Sequence, residues 1–105
     1  MDLVREFRRG AAAVHVLHHA TEGSVHGAWL SEELARHGYR ISPGTLYPLL
    51  HRMADAGLIT GAAEVVDGRV LRRYRATRKG TNALAALRGV IRELADEIDA
   101  GSTMR

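Results

Sequence analysis

Three histidines fall within five residues at His15, His18 and His19, and Glu22 follows one turn later. On a helix, His15 with His19 and His18 with Glu22 are each at i, i+4, a spacing at which imidazole and carboxylate can chelate one divalent cation. Zinc or another borderline metal suits such donors, with His26 within reach as a further ligand. The alternative reading is a half-buried packing or interfacial face that happens to be rich in imidazole. Catalytic patterns are missing: no nucleophile stands beside a base at a recognisable spacing, no glycine loop follows a strand to cradle phosphate, and the carboxylates are scattered over helix faces. An enzyme is therefore not expected, and no cofactor is required. A divalent metal enters only as a candidate effector.

The second chemically active group is arginine. From residue 36 to residue 80 there are nine bases against three acids, a net of +6, while the six bases and nine acids elsewhere give −3. A basic middle between mildly acidic flanks implies an anionic partner, nucleic acid above all. The competing explanation is a solvated surface in a chain whose coding favours arginine, with 14 arginines to one lysine.

Both groups must be positioned by a small fold. At 105 residues, 46% of them hydrophobic, one domain with a real core is expected. No run approaches the roughly 18 apolar residues of a membrane span, the N-terminal MDLVREFRRG lacks the apolar block of a signal peptide, and cysteine is absent. A cytoplasmic protein with no membrane partner is expected.

A first helix is predicted from Asp2, its N-cap, to Ala20, with Leu3, Phe7, Gly10, Val14 and Leu17 forming one buried face. A second covers His26 to His37, turns Leu30 and Leu34 inward, leaves Trp29 at its edge, and stops at Gly38. A third starts with Ser42 as N-cap and Pro43 in the first turn, where its missing N–H is no loss. Leu46, Leu49, Leu50, Met53 and Gly57 share its inner face; Gly44, Pro48, His51, Arg52 and Asp55 point outward, flanked by Thr45 and Tyr47. Pro48 thus interrupts the helix on its outer side, a defect of about 3 kcal/mol in an ordinary interior. The side-chain-free Gly44 and the leucine face both soften that cost.

Asp67-Gly68, between Val65-Val66 and Val70-Leu71, is a two-residue hairpin signal. On its second strand Val70, Arg72, Tyr74 and Ala76 share one face and Leu71, Arg73 and Arg75 the other, with Arg69 at the tip. A fourth helix follows from Arg78 to Ala100, with Leu84, Leu87, Ile91, Leu94 and Ile98 spaced 3, 4, 3, 4, a heptad seam that wants a partner helix. Packing on the first helix of the same chain is the alternative. Gly89 can permit two subunits to approach closely. The predicted fold class is mainly α with a small β-hairpin: a winged helix-turn-helix over residues 1–77 and a C-terminal dimerisation helix with a short tail over 78–105.

The stretch HGAWLSEELARHGYRISPGTLYPLLHRMADAGLI, followed by RRYRATRKG, resembles the PadR family of bacterial transcriptional regulators. The family pattern is a His-Gly before the second helix, Ser-x-Gly-Thr-Leu-Tyr-Pro opening the third, Gly-Leu-Ile leading to the wing, and an Arg-Tyr-Arg-x-Thr-x-x-Gly strand exit. Ala28 and Trp29 depart from it where many members carry an aromatic directly after the His-Gly.

The resemblance implies a homodimeric repressor of its own or a neighbouring operon, reading a near-palindromic double-stranded operator with two third helices while the wings straddle the backbone. It places Ser42, Gly44, Thr45, Tyr47, Pro48, His51, Arg52, Arg69, Arg72, Arg73 and Arg75 at DNA: Ser42, Thr45 and Tyr47 on phosphates, His51 and Arg52 nearest base edges or backbone, Pro48 against a thymine methyl. For Tyr47 the alternative is a buttress beneath the wing. A winged-helix protein-interaction module without DNA binding is the alternative for the whole chain. Release is expected through a metal at His15, His18, His19 and Glu22, or through a flat apolar molecule between subunits, although the fourth helix offers no aromatic residue to stack on it.

Overall fold

The computed structural model describes the backbone of residues 1–104 and the side chains of residues 1–101. Helix α1 spans Leu3–Glu22, and Asp2 caps it as expected, its Oδ1 accepting the Arg5 N–H at 3.1 Å. Its buried residues are Ala12, Val16, Leu17 and Ala20. The predicted face is corrected here: Leu3 and Phe7 are 69% and 61% exposed, and Gly10 is exposed too. Of the predicted face only Leu17 is buried and Val14 half-buried; the domain covers a stripe rotated from the predicted one, and only over the second half of the helix.

A two-residue strand, β1 (Val25–His26), precedes helix α2 (Gly27–Arg36), so His26 is a strand residue at the cap position rather than the first helical one. Two residues are too few for any periodicity to reveal. Helix α2 buries Leu30 and Leu34, and Gly38 follows at φ +86°, a left-handed conformation that glycine adopts freely. Helix α3 is Pro43–Asp55 and buries Leu46, Leu50 and Met53, with Leu49 half-buried and Pro48 exposed. Gly57 lies beyond the helix end at φ +77°, where it turns the chain, and not on the helix face. Ser42 occupies the cap position, but its hydroxyl meets Thr45 Oγ1 at 3.3 Å while its carbonyl accepts the Thr45 and Leu46 N–H groups at 2.9 Å each.

Strands β2 (Ile59–Val66) and β3 (Arg69–Ala76) form the hairpin in the expected register, Val66 opposite Arg69, with Asp67 and Gly68 both at positive φ (52° and 74°), as a type I′ turn demands. The sheet order is β1-β3-β2, with Val25 opposite Tyr74 and His26 opposite Arg73. The third strand ties the wing to the α1–α2 turn. Tyr74, on the central strand, is 2% exposed and completes a core of Val16, Leu17, Ala20, Leu30, Leu34, Leu46, Leu50, Met53, Ile59 and Leu84.

Helix α4 is Arg78–Met104, longer than the sequence indicates. Thr77 sets it in place: its Oγ1 donates to the Gly57 carbonyl at 2.5 Å and accepts the Gly80 N–H at 3.1 Å, an N-cap bonded at once to the helix and to the turn that follows α3. Gly80 packs so tightly that a Cβ there would lie 2.0 Å from the Leu58 carbonyl oxygen. Leu84 is buried within the monomer, which moves it from the expected seam into the core. Leu87 is half-buried, and Ile91, Leu94 and Ile98 lie open as α4 leaves the body of a molecule measuring 60 × 29 × 20 Å.

Candidate nucleic-acid interface and histidine cluster

Gly44, Thr45, Tyr47, Pro48, His51 and Arg52 are all exposed on α3, with Ser42 just before it. Small residues in its first turns leave backbone and hydroxyls near the surface, where a major groove could receive them. Tyr47 does two things. Its ring packs over the start of α2, since a Cβ on Gly27 would meet Tyr47 Cε1 at 2.9 Å, yet the residue remains 40% exposed. It lines one concavity with Trp29 and with Val70, Leu71 and Arg72 on the turn-side half of β3. The contact seen is thus with the start of α2 rather than beneath the wing, and it leaves the residue partly exposed.

On the wing, Arg69, Arg72 and Arg75 are exposed, and no ion pair is formed by them among the described residues. Arg73 differs. It is half-buried on the central strand and ion-paired with Glu64 across the hairpin, so its charge is already neutralised within the fold.

A second concavity, missed by a charge count begun at Arg36, is lined by Arg5, Arg8 and Arg9 of α1, Arg40, and Ser42, Thr45 and Arg52 of the α3 region. Arg8 lies 6.0 Å over the Tyr39 ring and reaches the Gly38 carbonyl at 3.4 Å, which holds it against the α2–α3 turn. The signal was present as the R-x-x-R-R run of the first helix. Tyr47 borders the concavity lined by Arg72 and Thr45 the one lined by Arg5, Arg8, Arg9, Arg40 and Arg52, so α3 lies between the two.

The expected metal group is divided by the structure. His18, His19 and Glu22 stay together on α1, with His18 Nε2 at 3.5 Å and His19 Nδ1 at 3.6 Å from Glu22 Oε1, although His19 Nε2 turns inward toward Glu33. His15 instead belongs with Glu33 and His37 of the α2 region, their ligand atoms lying within 4.8 Å of one another. Its ring meets those of His19 and His37 edge-on, at 4.8 Å each, and stacks on Tyr39 at 5.4 Å. His26 joins neither group among the described residues. Glu33 and His37 were visible as a second i, i+4 pair; the sequence does not reveal that α2 lays them against His15 and His19.

A family model for the transcriptional regulator PadR-like family matches residues 16–86. The chain belongs to the PadR family. This PadR-family chain is 54% identical to the transcriptional regulator Rv3488 of Mycobacterium tuberculosis over 100 residues, which cover 95% of the chain and 94% of the relative. Its fold matches that of a PadR family transcriptional regulator from Eggerthella lenta with a TM-score of 0.84 at 30% identity, covering 98% of this chain and 89% of that one. A PadR-like transcriptional regulator from Bacillus cereus follows at 0.82 and 27% identity, covering 90% and 94%. As a PadR-like transcriptional regulator the chain is not an enzyme, and its winged helix-turn-helix is that of the family. No helix among the described residues is long and apolar enough to cross a membrane.

Proposed function

We infer that this PadR-family regulator is a cytoplasmic, homodimeric DNA-binding repressor of its own or a neighbouring operon, acting on a near-palindromic operator and released by an effector. The observation that carries the reading is the basic surface on either side of α3: exposed Arg72 on the wing strand β3, the small and hydroxylic first turns of α3, and Arg5, Arg9, Arg40 and Arg52 beyond them. Arginines so placed hold phosphates on both sides of a groove into which α3 is inserted.

The dimer rests on two uncovered apolar stripes. Leu3, Val4 and Phe7 lie open on α1, and Val90, Ile91, Leu94 and Ile98 on α4, and all but Val90 follow the helical spacing of a packed face. A second copy is the occupant that suits both, since its α4 continues the heptad seam and its α1 adds the remaining apolar area. Within that dimer a divalent metal is the favoured effector. The flat apolar ligand would find no aromatic ring on α4.

Gel retardation with the DNA upstream of the protein's own gene, in the presence of nonspecific competitor, tests the reading. A sharp complex containing two subunits is expected. Loss of all retardation under competitor would favour a protein-interaction module built on the same fold.

A further inference from the structure

Helices α1 and α2 each present an i, i+4 donor pair to the seam between them: His15 and His19 from α1, Glu33 and His37 from the end of α2. Glu33 is the unusual member. Its side chain is 10% exposed, and a carboxylate so withdrawn from water requires compensation. Arg36 bonds Oε1 at 2.9 Å, whereas Oε2 faces His19 Nε2 and His37 Nε2, each at 3.4 Å. The buried Nε2 atoms of His15 and His19 have no hydrogen-bond partner. His15, Glu33 and His37 thus bring their ligand atoms within 4.8 Å of one another, His19 Nε2 approaches the same carboxylate, and the buried Nε2 atoms of His15 and His19 are left without a partner.

The geometry points to a binding site for one zinc-like divalent cation in the α1–α2 seam, held by His15, Glu33 and His37 with His19 as the fourth donor. A three-nitrogen, one-oxygen set is a tetrahedral zinc environment, and borderline cations favour imidazole over harder oxygen-only cages. Burial and the neighbouring His19 and His37 lower the His15 pKa, so its imidazole is neutral and able to ligate at physiological pH. His18 and Glu22 are the weaker candidates, because their side chains are 48% and 63% exposed and already solvated.

The location gives the site its regulatory meaning, and that part rests on the reading of the chain as a dimeric DNA-binding regulator. The cation would clamp α1, whose far end carries the dimer stripe and three arginines, to α2 of the DNA-reading head. Metal and DNA then alter each other's affinity by the same factor.

The test is titration of zinc chloride into chelator-stripped full-length protein by calorimetry, with cobalt(II) absorption reporting coordination number. One equivalent should bind with a four-coordinate cobalt spectrum. Replacing a ligand should weaken binding by at least about tenfold, so His37→Ala, Glu33→Gln and His15→Ala should each do so, while His18→Ala and Glu22→Gln should not. His37 is half-exposed, so its variant keeps its fold and decides the matter even should the buried Glu33 variant lose structure. Absence of wild-type binding, or binding lost in Glu22→Gln and kept in His37→Ala, overturns the site. Repeating the titration with operator DNA present separates the two claims: equal affinities would leave the site standing and remove its regulatory role.

Discussion

The Tyr47 ring lies where a side chain on residue 27 would have to go: a Cβ on Gly27 would sit 2.9 Å from Tyr47 Cε1 and 3.0 Å from its hydroxyl oxygen. The His-Gly that opens α2 and the Gly-Thr-Leu-Tyr-Pro of α3 are therefore two halves of one contact. Gly27→Ala should destabilise the protein by about 1–3 kcal/mol through overpacking, and should cost close to nothing in a Tyr47→Ala background. A double-mutant cycle by urea unfolding measures the coupling; equal costs in both backgrounds would remove the contact as the reason for the glycine.

Gly80 and Gly89 sit on the same helix in opposite circumstances. A Cβ at Gly80 would clash with the Leu58 carbonyl oxygen, whereas none at Gly89 meets anything within 4 Å. Gly80→Ala should cost about 3 kcal/mol or more, since backbone must move. Gly89→Ala should raise thermal stability by about 0.5–1 kcal/mol through helix propensity. A Gly89→Ala variant that is less stable or dissociates at higher concentration would show that residue 89 is where two subunits approach.

Wing arginines should not be equivalent. About six phosphate contacts would give a log-log salt dependence with a slope near −5. Arg72→Ala and Arg69→Ala should each make that slope shallower by about one while leaving stability within about 0.5 kcal/mol of the parent. Arg73→Ala, which strips Glu64 of its partner, should instead lower stability and leave the slope nearly unchanged. Fluorescence anisotropy across a salt series, paired with unfolding curves, reads both quantities.

The seam also divides by burial. Ile98 is 62% exposed in the monomer and Leu84 is 9% exposed. Ile98→Asp should yield folded monomers by light scattering, and Leu84→Asp should prevent folding, because an unpaired carboxylate in the core is strongly unfavourable. An Ile98→Asp protein that remains a tight dimer would place the interface elsewhere.

For His15 the sign of the pH effect follows from its lowered pKa, caused first by burial and then by His19 and His37. The folded protein resists a proton that the unfolded chain takes up near the ordinary value of 6.5. Its contribution is thus fully present above about pH 6.5, declines as the pH falls below that, and stops declining beneath the folded-state pKa. In chelator-treated samples, His15→Gln should therefore lose less stability than the wild type on going from about pH 7 to about pH 5. Parallel slopes would dissociate His15 from the effect.

Much of this was legible in advance. Pro43 after Ser42, Asp67-Gly68 between valines, and the heptad leucines announced their elements because each follows from local stereochemistry or from a repeating period. What stayed hidden is long-range. Strand β1 is two residues long and exists only because β3 has an edge to pair with. Leu3 and Phe7 read as core because hydrophobicity alone does not tell an interior face from an exposed apolar one. Thr77 and Gly80 looked like strand-exit punctuation, yet their roles depend on Gly57 and Leu58 some twenty residues earlier. Likewise the imidazole group was noticed on one helix, while its second half lay on another.

The Thr77 hydroxyl acts as a pivot. Beyond it run 27 residues of helix, a lever of ~40 Å at 1.5 Å per residue, so a tilt of one degree at that joint moves the far end by ~0.7 Å. In the proposed dimer, two such levers would set how far apart the paired reading helices stand, and successive major grooves repeat every 34–36 Å or so. On that proposal, the tolerated gap between operator half-sites would depend on the stiffness of a single threonine's grip on the turn after α3. Swapping that hydroxyl for a methyl, as in Thr77→Val, turns a fixed gauge into an adjustable one, and would broaden the range of half-site spacings the regulator accepts.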